Sequence, residues 1–442
     1  MFWEGFVRAA EGISTTEMPF FCRSFAFAGI CGMMRARILT VGDDTMKHPE
    51  LFPSQVRAFR LRAHHLDQPL PASRLEEAAA ACGLQNSPPG AWENALYCRM
   101  EQPDLASWRQ ALEEDRTLLQ AWSFRGVPVV FPTRDSGVFL SALAAQPGED
   151  PWIYTRGITA ALDAVGIGFD PLLELVAQAA ACLDGQTVQS KEQLDRVLAA
   201  QVEEALPPAL LSAWRAPSMY GSPDRQTVGQ AAVSFLLRPC SFLGLVVFGR
   251  REGIHPTFIS PTRWLGAPLS PSPDGVRQLV RRYLHCYGPS TAADFAAWLG
   301  CSPKQGRRMW QVVAGELCPV SLLGRTRYLL AEDLPELLSC QEEDRLLLLG
   351  AHDPYLDLRD RALILPDVPR QRQLWKITGN PGAILLGGQV IGCWTSRAKN
   401  GVPQVSLDCW EALSPQQERE LDRLAEAWTA FRRQQLSSHP DE

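Results

Sequence analysis

The residues of this chain best suited to chemistry are arginines gathered where acids are scarce. Arg57, Arg60, Arg62 and Arg74, with His64 and His65 among them, meet only Asp67 as an acid before Glu76. A second cluster comprises Arg277, Arg281, Arg282, Lys304, Arg307 and Arg308. A guanidinium is planar and forks onto two phosphate oxygens at once, which an ammonium does not. Clusters of this kind suit a nucleic-acid backbone, and the competing reading of each arginine is a solvated helix face. Acids concentrate elsewhere, at Glu113-Glu114-Asp115 and Glu342-Glu343-Asp344. The formal net charge is −6, so contact with nucleic acid has to come from local patches and not from bulk charge.

Other chemistries find little support. The twelve cysteines are scattered, with no C-x-x-C pair, and many sit in apolar helical text, as at Cys82, Cys98, Cys182 and Cys240. That pattern suits reduced thiols acting as small hydrophobes in a reducing cytosol, and gives no reason to expect zinc. The His64-His65 pair reads more readily as a surface or core feature than as a ligand or base. No Walker, Rossmann, HExxH or GxSxG text occurs, so no metal or cofactor is expected. No apolar run reaches the roughly 18 residues that cross a bilayer. The short apolar stretch Phe25 to Met34 lacks a small-residue cleavage site. The expectation is a cytoplasmic protein without membrane contact.

Positioning these side chains falls to several small domains. A chain of 442 residues, 46% apolar and 21% charged, is globular over most of its length and long enough for two to four domains. Residues 1–45 match no folded pattern and read as a disordered tail or an extension upstream of the true start. From 46 to 150 the text is mostly helical. Ser73 with Glu76 reads as a capping box, Gly83 breaks that helix, and a second helix carries Trp92, Leu96 and Arg99, the last an expected DNA contact. A further helix is expected over about 105–122, then a strand at Val127–Phe131. Residues 151–270 form a second unit, with helices near 170–183, 190–206 and 227–237, a strand at 243–248, a basic wing at Arg250-Arg251, and a Pro-rich linker. In the third, 271–340, helices over 276–287 and 292–299 precede one capped by Ser302, which presents Lys304, Arg307 and Arg308. A basic hairpin carrying Arg325 and Arg327 follows. Helix, helix, basic helix, basic hairpin is the winged-helix order, which sets a recognition helix into the major groove of double-stranded DNA. Residues 341–442 turn to strands around Gly387-Gly388 and end in an amphipathic helix. The fold class is mainly α with α+β winged-helix units, and three linked modules suit a monomer.

Several segments in this order resemble the bacterial winged-helix DNA-glycosylase family, whose members release alkylated bases and unhook interstrand crosslinks. They are Cys82-Gly83-Leu84-Gln85, Ala95-Leu96-Tyr97-Cys98-Arg99, Trp122-Ser123-Phe124-Arg125-Gly126, Tyr287-Gly288-Pro289-Ser290-Thr291, Asp353-Pro354-Tyr355 with Arg359-Asp360-Arg361, and Gly388-Gln389-Val390-Ile391-Gly392-Cys393-Trp394. The resemblance covers about residues 54–410 and implies three tandem winged helices and a small C-terminal β-barrel around a concave DNA-binding surface. It adds Arg359 and Arg361 to the expected DNA contacts. The family follows its Gly-Leu pair with Gln-x-Gln or Gln-x-Asp; here the text is Gln85-Asn86-Ser87. The resemblance therefore implies catalytic roles for Gln85 and Ser87, with Ser87 offering a shorter arm and a smaller dipole. Without it, the same tripeptide is a polar turn, which Asn and Ser favour. A DNA glycosylase of alkylated or crosslinked bases and a catalytically inactive DNA-binding regulator or damage sensor both remain open at this stage.

Overall fold

Helices followed by a short antiparallel hairpin recur three times along the chain. The computed structural model describes residues 48–149, 157–220, 225–399 and 402–438; the expected N-terminal extension, 1–45, lies outside them. After β1 (Glu50–Leu51), the first unit holds α1 (Pro53–Ala63), α2 (Leu75–Ala80), β2 (Leu84–Gln85), α3 (Ala91–Tyr97), α4 (Leu105–Glu113), β3 (Leu118–Trp122) and β4 (Pro128–Pro132), with its strands in the order β2-β4-β3. Ser73 does not cap α2: Ala72–Arg74 is a turn of 3₁₀ helix, and α2 begins after it with no side-chain cap. The helix expected over about 105–122 stops at Glu113. Asp104 caps its start, and Arg116 turns the chain with φ 56° into β3. Leu118, Leu119, Ala121 and Trp122 are all buried, so β3 is a two-sided core strand whose apolar run, broken only by Gln120, resembles helix text.

The second unit contains α5 (Phe169–Ala179), β5 (Val188–Gln189), α6 (Lys191–Ala205), α7 (Val228–Phe242), β6 (Val247–Phe248) and β7 (Thr257–Ile259), in strand order β5-β7-β6. Ser190 caps α6 and Thr227 closes a capping box on α7. That last helix runs past Pro239, so the strand expected over 243–248 shrinks to its final two residues. Trp122 of β3 stacks on Phe258 of β7 with ring centroids 5.1 Å apart, joining the first and second hairpins.

The third unit is α8 (Gly275–Tyr287), α9 (Ala292–Leu299), α10 (Pro303–Gln311), β8 (Leu317–Leu322) and β9 (Arg325–Leu330). Thr291 caps α9 and Ser302 caps α10, as the sequence implied. The hairpin turns on Leu323 and Gly324, both at positive φ, so Arg325 and Arg327 lie in the strand and not in the turn. β1 pairs in parallel with β8, so the start of the described chain completes the third sheet. The units are not separate beads: one apolar core runs from Phe131 and Phe139 through Tyr283 and Trp298 to Leu349 and Leu385.

Beyond it, β10 (Leu346–Leu349), β11 (Gly382–Leu386), β12 (Gln389–Lys399) and β13 (Val402–Cys409) form a meander in that order. Gly387 and Gly388, both at positive φ, make the β11–β12 turn. The expected β-barrel is not closed. Among the described residues β10 and β13 are the sheet's edges, and the space a closing pair would use is covered by α11 (Pro415–Ser438). Leu421 and Trp428 of that helix pack on Ile384, Ile391 and Trp394.

Candidate active site

Gln85 ends β2, where its backbone pairs opposite Val129 of β4 and the residue is 7% exposed. Its Nε2 donates to the Ser87 carbonyl at 2.8 Å, which fixes the amide and turns Oε1 the other way. Asn86 is committed to the turn: Nδ2 donates to Gln120 at 3.0 Å, and Oδ1 accepts from the Gly90 amide at 2.7 Å. The polar-turn reading therefore describes Asn86 well, while Gln85 keeps an acceptor free of the turn. Ser87 is half-buried beside it.

Oε1 of Gln85 faces Arg125, whose Nη2 approaches it at 3.4 Å and reaches Asp357 Oδ2 at 2.5 Å. The other Nη donates to the Trp298 carbonyl at 3.0 Å, and the guanidinium lies 4.9 Å from the Phe124 ring centroid. Arg125 adopts φ 56°, and His352, five residues before Asp357, adopts φ 63°. For residues other than glycine such backbone costs about 1–3 kcal/mol and collects at functional sites. Burial lowers the His352 pKa; Asp357 opposes that shift and Arg125 adds to it. Neither Arg125 nor Asp357 was singled out by residue type. Their signals were the Ser-Phe-Arg-Gly turn after β3 and the charge-rich stretch from Asp353 to Arg361.

The fold sorts the expected DNA contacts into two groups. Arg60 and Arg99 are each 1% exposed and lie in the core. Arg60 forks onto Asp360 and donates to the Tyr287 and Gly288 carbonyls; Arg99 forks onto Asp353. Both are corrections, since a guanidinium closed in by its own carboxylate cannot reach a phosphate. His64 is also buried, edge-on to Tyr287 and Tyr355, and burial followed by the charges of Arg99 and Arg60 holds its pKa well below the usual value. Arg57 is paired with Glu342, Arg308 with Glu149, Arg327 with Asp294 and Arg250 with Glu113 and Glu114. Lys304 donates to the Gly148 carbonyl, and Arg361 lies over the Trp375 ring. His65 is half-buried, and burial lowers its pKa. Arg251, Arg307, Arg325 and Arg359 are exposed and form no ion pair among the described residues. Burial of its charged group and then the like charge of Arg125 lower the Arg359 pKa, although much of that residue is open to solvent.

One cluster escaped the cysteine spacing. His64, Cys82 and Cys286, from three different elements, bring one ligand atom each within 4.8 Å of one another, all buried. A hydrogen bond with Cys82, then burial, pushes the Cys286 thiol well up, as suits protonated sulfur in an apolar core. Asp353 caps Tyr355 at 2.9 Å, and Trp92, Trp122 and Trp394 are core residues, as their text suggested.

A family model described as DNA glycosylase AlkZ-like matches residues 78–431, spanning Gln85, Arg125 and Asp357. The chain belongs to the AlkZ-like DNA glycosylase family. It is similar to an interstrand DNA cross-link repair glycosylase of Streptomyces sahachiroi, 24% identical over 352 residues that cover 77% of this chain and 86% of that protein. The solved structure of the Streptomyces sahachiroi DNA glycosylase AlkZ superposes with a TM-score of 0.65 at 22% identity, over 83% of this chain and 94% of that one, a likeness of fold. The AlkZ-like match, unlike the open sheet or the arginine pairs, could be anticipated from sequence segments alone. No described helix is long and apolar enough to cross a membrane.

Proposed function

We propose that this AlkZ-like chain is a monofunctional DNA glycosylase that hydrolyses the N-glycosidic bond of alkylated or crosslinked bases in duplex DNA. In this reading its three helix-and-hairpin units are winged helices, and the protein works as a monomer without metal or cofactor. The observation that carries it is the fixed Gln85 amide: a buried residue whose donor is spent on Ser87 and whose acceptor is turned toward Arg125.

The chemistry fits a group of that kind. Breaking the bond between C1′ and the base nitrogen gives the sugar oxocarbenium character, which dipoles and anions held nearby stabilise. An N-alkylated purine is already cationic and departs neutral, so no strong general acid is required. An amide oxygen held in place by its own Nε2–H bond orients a water at no reorganisation cost. Ser87 offers a hydroxyl on a shorter arm. Exposed Arg251, Arg307, Arg325 and Arg359 are the candidates for phosphate contacts, from the second unit, the third unit and the segment after Asp353.

The test is base release from an N-alkylated duplex, read as alkali-labile abasic sites. Wild-type chain should form them, and Gln85→Ala should slow the step about a hundred- to thousand-fold, the usual cost of one such polar group. A wild-type chain that binds the duplex yet leaves every base in place would instead be a non-catalytic DNA-binding protein.

A further inference from the structure

We propose that Asp357 supplies the negative charge that stabilises the oxocarbenium ion and takes the proton of the attacking water, a proposal that rests on the glycosylase reading above. The Gln85-Asn86-Ser87 segment carries no charge. Its asparagine is spent on Gln120 and Gly90, and the Ser87 carbonyl is spent on Gln85. Asp357 is the carboxylate brought to Gln85 by the fold, through a single Arg125 nitrogen that touches both side chains, at 3.4 Å and 2.5 Å. The two side chains thus share one donor, and their oxygens lie within about two hydrogen-bond lengths of each other.

Three features separate Asp357 from the other arginine-paired acids nearby. Asp353 and Asp360 each give both oxygens to a guanidinium fork, and their side chains are 0% and 16% exposed. Asp357 is 23% exposed and bonds Arg125 through Oδ2, while its Oδ1 makes no hydrogen bond among the described residues. Its guanidinium partner Arg125 also stands at a strained backbone position, φ 56°. A buried structural fork needs none of these: not an idle oxygen, an opening to solvent, or a strained partner.

The step balances without a co-reactant. The C1′–N bond breaks and its electron pair goes to the cationic base, which leaves neutral. Water oxygen bonds to C1′ as Asp357 takes one water proton and later gives it to solvent. Arg125 is the positioning residue that aims the carboxylate beside Gln85.

Single-turnover base release from an N7-alkylguanine duplex, measured with duplex affinity and thermal melting for each full-length variant, tests the proposal. Asp357→Asn keeps shape and removes charge. Its release rate should fall about a hundredfold with affinity within twofold of wild type, and Asp357→Glu should recover part of the loss. The double variant Arg125→Gln/Asp357→Asn, which removes both charges together, serves if Asp357→Asn melts early, and should be equally slow. Release within threefold of wild type in Asp357→Asn overturns the proposal while leaving the glycosylase reading intact. So does a loss of rate that tracks affinity and is no better in Asp357→Glu. A wild-type chain that releases nothing overturns both.

Discussion

The Arg99 guanidinium meets Asp353 across 254 positions of sequence, at 2.8 and 2.9 Å, in a site where both side chains are at most 1% exposed. Removing a buried charge's partner strands the other charge in a medium that cannot solvate it, which costs about 3–5 kcal/mol. Asp353→Ala should therefore lower stability by about that much in urea denaturation. Arg307→Ala, at an exposed and unpaired position, should stay within about 0.5 kcal/mol of wild type. Equal effects from the two would refute the division of these arginines into core and surface. The same pairings explain what residue types could not disclose. Arg277 and Arg281 share Glu316, Arg282 takes Asp135, and Arg62 takes Asp67 and Glu336. Apart from Asp67 these acids are distant in sequence, so a stretch that reads as unopposed positive charge is largely neutralised once folded. Gln85, by contrast, was legible only through the family resemblance, whose signature follows a Gly-Leu pair; by residue type alone it belonged to a polar turn.

A short strand, β2, presents the Gln85 amide, and the chain enters it through Gly83 at φ 67°. A Cβ there would stand 2.6 Å from Val129 Cγ1 and 3.0 Å from the Phe139 ring, and the left-handed backbone adds its own cost. Gly83→Ala should destabilise by about 1–3 kcal/mol. It should also slow base release more than it weakens duplex binding, because Val129 is the residue opposite Gln85. An unchanged release rate in a destabilised Gly83→Ala would show that β2 does not set the amide. Elements with their own punctuation were readable: Thr291 and Ser302 before their helices, and Gly387-Gly388 between β11 and β12. Elements defined by long-range burial were not. β3 passed for helix because both of its faces are core, and the β-barrel was expected from resemblance where an edge-exposed meander backed by α11 exists.

A molecule of net charge −6 that holds duplex DNA must do so with local groups of cations and not with bulk charge. After internal pairing, the expected contacts that remain exposed without an ion pair among the described residues are Arg251 beside β6, Arg307 on α10, Arg325 at the start of β9 and Arg359 close to Asp357. Each phosphate neutralised releases condensed counterions, so the logarithm of the binding constant falls with the logarithm of salt at about 0.9 per contact. Phosphate contacts through these four arginines would together contribute a slope of about 3.6. Arg307→Ala and Arg325→Ala should each reduce it by about 0.9 without moving the melting temperature, and their double variant by about twice that, since separated sites add. Arg57→Ala should leave the slope unchanged, because Arg57 already holds Glu342. Titrating a fluorescent duplex at several salt concentrations measures wild type and all four variants alike. If Arg57→Ala flattened the slope and Arg307→Ala did not, DNA would lie on a different face, away from α10 and its hairpin, and the path from the bound duplex to Gln85 would have to be redrawn.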